Sequence, residues 1–100
     1  DAMFIPNDHI AAVGMTTIGK VSTQTKTPVV TTDPTMIQFA GVATKGANFE
    51  DIGRQTADMA IKIIKGKKVK DIPVESPRKI QLVMNKKRMQ FFNVSAADLK

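Results

Sequence analysis

Residues 2–9 read Ala-Met-Phe-Ile-Pro-Asn-Asp-His, and behind them Ile10, Val13, Gly14, Thr17, Ile18 and Val21 recur at helical spacing. The pattern predicts a buried strand that runs straight into an amphipathic helix, with the junction at Pro6-Asn7-Asp8. No other feature constrains the fold as much, because it opens an alternation of strands and helices. In open α/β sheets, ligands gather beyond the carboxyl ends of parallel strands, where helix N-termini present unpaired N–H groups. Asn7 and Asp8 are therefore placed to cap the helix, to hold a ligand, or to do both.

The rest of the chain keeps that rhythm. Thr27-Pro-Val-Val-Thr-Thr32 reads as a short buried strand ending at Asp33-Pro34, where proline stops further pairing. Residues 39–43 form the next strand. Ile52, Thr56, Met59, Ala60, Ile63 and Ile64 mark a second helix, with Asn48 and Asp51 at its start and Gly66 as its stop. Pro73 and Pro77 keep the following stretch extended, as a surface loop or as a crossing between lobes. Ile80-Gln-Leu-Val-Met84 is a fourth strand, Asn85 caps a last helix, and Asn93 suits a left-handed cap. The class is α/β: a three-layer α/β/α arrangement around a mainly parallel sheet.

Composition removes several chemistries. There is no Cys and one His, so disulfide frameworks, thiolate metal sites and histidine clusters are excluded, and no cofactor is implied. No segment is apolar for the length of a bilayer. The chain leads into its first strand without Met or leader, which is the expectation for a piece of a longer protein. Net charge is +6, concentrated at Lys62, Lys65, Lys67, Lys68 and Lys70. These lysines fit the end of a helix, where cations complement the macrodipole, better than nucleic acid, since no aromatic platform is interleaved with them. Lys86, Lys87 and Arg88 are expected to face solvent. Enzymatic work would need convergent titratable groups, and His9 beside Asp8 or Glu50 beside Asp51 point apart on one helical turn. The expectation is a non-enzyme.

Five ordered blocks carry a resemblance: Asp1-Ala-Met-Phe-Ile-Pro-Asn-Asp8; Thr27-Pro-Val-Val30 with Asp33; Phe49-Glu-Asp-Ile-Gly-Arg-Gln-Thr56 with Ala60 and Ile63-Ile-Lys-Gly66; Asp71-Ile-Pro-Val-Glu75 with Pro77; and Leu82-Val-Met-Asn85. Together they resemble the C-terminal third of the ABC-transporter substrate-binding proteins of the tryptophan/tyrosine-type family. The resemblance implies a type I periplasmic-binding-protein fold, with two flavodoxin-like lobes closing on a small molecule. Residues 1–35 and 78–100 would then belong to one lobe and 38–70 to the other. A piece holding parts of both lobes is expected to rearrange or to form a homodimer that covers its exposed faces.

The family's function would make this the solute-binding part of an importer, handing an amino acid to an ABC permease and its ATPase outside the cytoplasmic membrane, lipid-anchored or periplasmic. The effector domain of a sugar-responsive repressor shares the two-lobed architecture and is the alternative. An amino-acid ammonium wants a carboxylate, which Asp8 or Asp33 can supply. Each also reads as a local cap or turn initiator. The family carries Thr-Asp-Asn at the first site, so Asp8 matches while Asn7 and His9 depart. It carries Asp before an aromatic where Asn48 precedes Phe49, which leaves Asn48 as a ligand contact of altered charge or as the helix cap. Phe39, Phe49, Phe91 and Phe92 are expected in the core, and Arg54 in an ion pair with Asp51 or Asp58.

Overall fold

Residues 1–99 are described by a computed structural model, in the order β1 (Met3–Ile5), α1 (His9–Thr25), β2 (Val29–Thr31), β3 (Gly41–Gly46), α2 (Phe49–Ile64), β4 (Gln81–Met84) and α3 (Lys86–Phe91). Short 3-10 turns occupy Pro34–Met36, Val69–Asp71 and Ala96–Leu99. The chain divides into two units, one of Asp1–Gly46 with the chain from Gln81 onward, the other of Ala47–Ile80.

The first unit is built on a four-stranded sheet in the order β1-β2-β3-β4. β1 pairs parallel with β2 (Met3 with Val29, Ile5 with Thr31), and β2 parallel with β3. Their register shifts between Val29 and Val30, which face Gly41 and Ala43 and leave Val42 as the extra residue. The sheet is thus mainly parallel, as expected. Strict alternation would make every strand parallel, and β4 departs from it: Ala43 faces Met84 and Gly46 faces Gln81 in an antiparallel ladder. The chain returns opposite the residue at which β3 ended, so the only direction open to it is backward. β3 itself begins two residues later than the sequence predicts. The amides of Phe39 and Ala40 are spent on the carbonyl of Met36, at 3.2 and 3.4 Å, and so close a turn first.

Two apolar clusters hold this unit. Met15 of α1 packs with Met36 and Ala40, joined by Ile5 and Ile18. Val42 and Ala43 of β3 pack with Met89 of α3, flanked by Val30, Phe92, Val94 and Leu99. Methionines and small aliphatics fill the interior, and the aromatic rings lie outside it. Phe39, Phe49 and Phe91, expected in the core, are 49%, 53% and 54% exposed. Phe92 is half-buried, edge-on to Phe91 at 4.9 Å.

The helix ends follow local chemistry. Asp8 caps α1, and Lys26 at φ 53° closes it, its amide reaching the carbonyls of Ser22 and Thr23. Asn85 caps α3 through the Arg88 amide at 3.2 Å, and Asn93 takes the left-handed conformation at φ 53°. In the second unit Asn48 caps α2, Lys65 ends it, and Gly66 follows at φ 96°. Arg54 pairs with Glu50 one turn earlier at 2.7 Å, rather than with Asp51 or Asp58. The i,i+4 spacing brings those two side chains together on one face.

The two glycines of α1 differ sharply. A Cβ at Gly19 would run into the backbone carbonyl of Phe39, so its absence is what lets α1 approach that turn, whereas a Cβ at Gly14 would meet nothing within 4 Å. Gly19→Ala should destabilise the protein by ~1–3 kcal/mol, the cost of overpacking against backbone that cannot yield. Gly14→Ala should stabilise it by ~0.5–1 kcal/mol through helix propensity. Chemical-denaturation midpoints of the two variants check this, and equal effects would remove the close approach as the cause.

Candidate functional site

β1 and β2 run parallel and end side by side, with the Thr32 amide donating to the Ile5 carbonyl at 3.3 Å. The residues that follow each strand therefore share one edge of the sheet: Pro6-Asn7-Asp8 after β1, and Thr32-Asp33 after β2. β3 reaches the same edge at Gly46, whose missing Cβ leaves room for the Thr32 carbonyl.

Asp8 is exposed, and its Oδ1 accepts from the Ala11 amide at 2.8 Å. Asp33 is only 7% exposed; its Oδ1 accepts from both the amide and the hydroxyl of Thr35, each at 2.8 Å. The carbonyl of Asp33 accepts from the Thr31 hydroxyl at 3.2 Å. In a chain of net charge +6, neither carboxylate has a cationic partner among the described residues. Both carboxylates are thus held by neutral donors, just past the ends of neighbouring strands. Asn7 lies exposed in the bend between β1 and Asp8. Thr32 adds a group that sequence reasoning missed: its hydroxyl is buried and has no hydrogen-bond partner among the described residues. The only signal for it was position, between the end of a strand and the aspartate.

Asn48 is in the second unit. Its Oδ1 accepts from the amides of Glu50 and Asp51 at 2.7 and 3.4 Å, which is the geometry of an N-cap and leaves its Nδ2 uncommitted to the helix. The same unit has a cleft of about 210 Å³ bordered by Asp51, Gln55, Asp58, Arg78 and Lys79. Its charges are satisfied internally. Arg78 reaches Glu75 at 2.9 Å and Asp58 at 3.3 Å, and Lys79 reaches Asp51 at 3.5 Å. Gln55 is the centre of this arrangement: its amide nitrogen donates to Glu75 Oε2 at 2.7 Å and to the Ser76 carbonyl at 3.0 Å, while its oxygen accepts from the Arg78 amide at 3.1 Å. One side chain thus clamps the main chain of residues 75–78 onto α2. The hydrogen bond from Gln55, then that from Arg78, holds the Glu75 carboxyl below its ordinary pKa. The cleft is a clamp, with no free charge to offer a ligand.

A family profile described as ABC transporter substrate binding protein matches residues 1–99. The chain belongs to this family. It is 25% identical over its whole length to a tyrosine-binding protein of Clostridioides difficile, of which it covers 30%. Among solved structures, an ABC domain in complex with L-Trp from Streptococcus pneumonia superposes with a TM-score of 0.83 at 28% identity, over 99% of this chain and 35% of that one. A conserved domain protein of Vibrio cholerae gives 0.84 at 26% identity, over 99% and 34%. The chain therefore spans about a third of the length of these relatives.

Gln55→Ala should release residues 75–78, seen as faster hydrogen exchange at the Arg78 amide, while α2 keeps its helical signal. Lowering the pH should act on the same clamp. Because the folded-state pKa of Glu75 is depressed, its contribution is present above the ordinary value of 4.5 and is lost as pH falls through the lower folded value. Exchange at Arg78 that is insensitive both to the substitution and to acid would show that the clamp holds nothing.

Proposed function

We propose that this chain is part of the solute-binding component of an ABC importer, and that the intact protein captures an amino acid with an aromatic side chain in a cleft between two lobes. Family membership supports the transport class, and the tyrosine-binding and L-Trp-bound relatives support the ligand class. The single observation that carries the site is the unpaired carboxylate of Asp8 beside that of Asp33 at the ends of adjacent parallel strands. In this reading Asp8 meets the ligand's ammonium directly. Asp33, nearly buried, holds the neighbouring loop and adds to the negative field, and Asn7 contributes amide contacts. Asn48 acts mainly as the cap of α2, with its Nδ2 available to a polar group of the ligand.

On the family's pattern, residues 1–35 and 78–100 would belong to one lobe of the intact protein and 38–70 to the other. Its place of work would be outside the cytoplasmic membrane, where it passes ligand to a permease and its ATPase without chemical change. No helix among the described residues is long and apolar enough to cross a membrane.

Calorimetric titration of the full-length protein with tyrosine, tryptophan and non-aromatic amino acids tests the ligand class. Asp8→Ala should weaken binding by ~1.5–3 kcal/mol, as for loss of a hydrogen bond to a charged group. Asn48→Ala should instead lower stability by ~0.5–2 kcal/mol through the lost cap, with little change in affinity. Unchanged affinity in Asp8→Ala would reduce that residue to a helix cap, and absence of amino-acid binding by the intact protein would remove the ligand assignment.

A further inference from the structure

The first unit carries a second feature that shares no residue with the strand-end site. A groove of about 490 Å³ runs along the later half of α1, bordered by Thr16, Lys20, Thr23, Phe39 and Arg88. Its depth depends on Gly19, where α1 closes on the Phe39 carbonyl. Arg88 comes to it from α3. Its Nη2 donates to the Ser22 hydroxyl at 3.0 Å, and its Nη1 lies 3.5 Å from the Thr23 hydroxyl. Both hydroxyls are neutral and already donate elsewhere, to the carbonyls of Thr27 and Gly19.

Arg88 is thus held by its surroundings without being neutralised by them. Its Nε is buried with no hydrogen-bond partner among the described residues. No carboxylate pairs with Arg88 or Lys20 among them, and no acidic residue borders the groove. The guanidinium carbon lies over the Phe92 ring, 5.3 Å from its centroid. Burial lowers the guanidinium pKa, as expected where a cation loses hydration and gains no counter-charge. Arg54 and Arg78, in the other unit, are each matched to carboxylates. Phe39, half-exposed, also borders the groove.

We propose that this groove binds a carboxylate carried on an apolar or aromatic body, the carboxylate meeting Arg88 and Lys20 and the body lying on Phe39. A planar guanidinium with spare Nη donors matches the two oxygens of a carboxylate, and the exposed lysine adds a point charge that can swing to meet it. The remaining lining is hydroxyl and amide, which tolerates either face of such a ligand.

The test uses the full-length protein, with the Arg88 side-chain Nε–H signal followed by NMR during titration with benzoate, acetate and inorganic phosphate. Benzoate should give a saturable shift, and acetate and phosphate, which carry no body to lie on Phe39, weaker ones. Lys20→Gln, at an exposed position that leaves the Arg88–Ser22 contact in place, should weaken benzoate binding by about tenfold, the scale of one charge-assisted hydrogen bond. Phe39→Leu should narrow the gap between benzoate and acetate. Absence of a saturable shift, acetate binding as well as benzoate, or unchanged affinity in Lys20→Gln would each overturn the proposal. Asp8→Ala should leave the titration unaltered; loss of benzoate binding there would place the anion at the strand ends and overturn it as well.

Discussion

Gly19 lets α1 lie against the backbone of Phe39 and Ala40, and Met15 and Ile18 on the same helix reach into the cluster around Met36. This contact decides where the helix between β1 and β2 can sit. Once it is seated, β2 is delivered alongside β1 in parallel register, and the segments after both strands emerge at one edge. The placing of Asp8 and Asp33 after the ends of adjacent strands is thus a product of helix packing, and neutral donors from Ala11 and Thr35 fix each carboxylate locally.

The second unit is organised on the opposite principle. α2 has an apolar stripe but no buried side chain, and what fixes the chain around it is polar: a glutamine reading main chain and a ring of ion pairs. Exposed ion pairs contribute little individually. The clamp therefore depends on Gln55, whose carboxamide satisfies a donor and an acceptor of the same short segment.

Much of this architecture was legible in the sequence because its determinants are local. Asp8, Asn48 and Asn85 announce helix starts by capping chemistry that operates within three residues, and Gly66 and Asn93 announce ends by their tolerance of positive φ. What was not legible depends on partners far along the chain. The direction of β4 is set by pairing with β3 across the whole second unit, and no periodicity in Gln81–Met84 records it. Phe39 and Phe91 look like core residues by type, yet methionines and small aliphatics had already filled the interior. Arg88 belongs to a basic run that reads as solvated, and only the fold brings it to Ser22, 66 positions away. The orphan hydroxyl of Thr32 is marked in the sequence only by its place between the end of β2 and Asp33.

The antiparallel pairing of Gly46 with Gln81 has a topological consequence. The chain leaves the sheet and returns to it on neighbouring strands, so Ala47–Ile80 is an insertion into what is otherwise a simple β-hairpin. An Asn-Gly turn could in principle join the two strands directly, since tight two-residue connections suit antiparallel neighbours. Ala47–Ile80 thus leaves and rejoins the sheet at a loop tip, the position where chains accept added segments with least harm to the strands on either side.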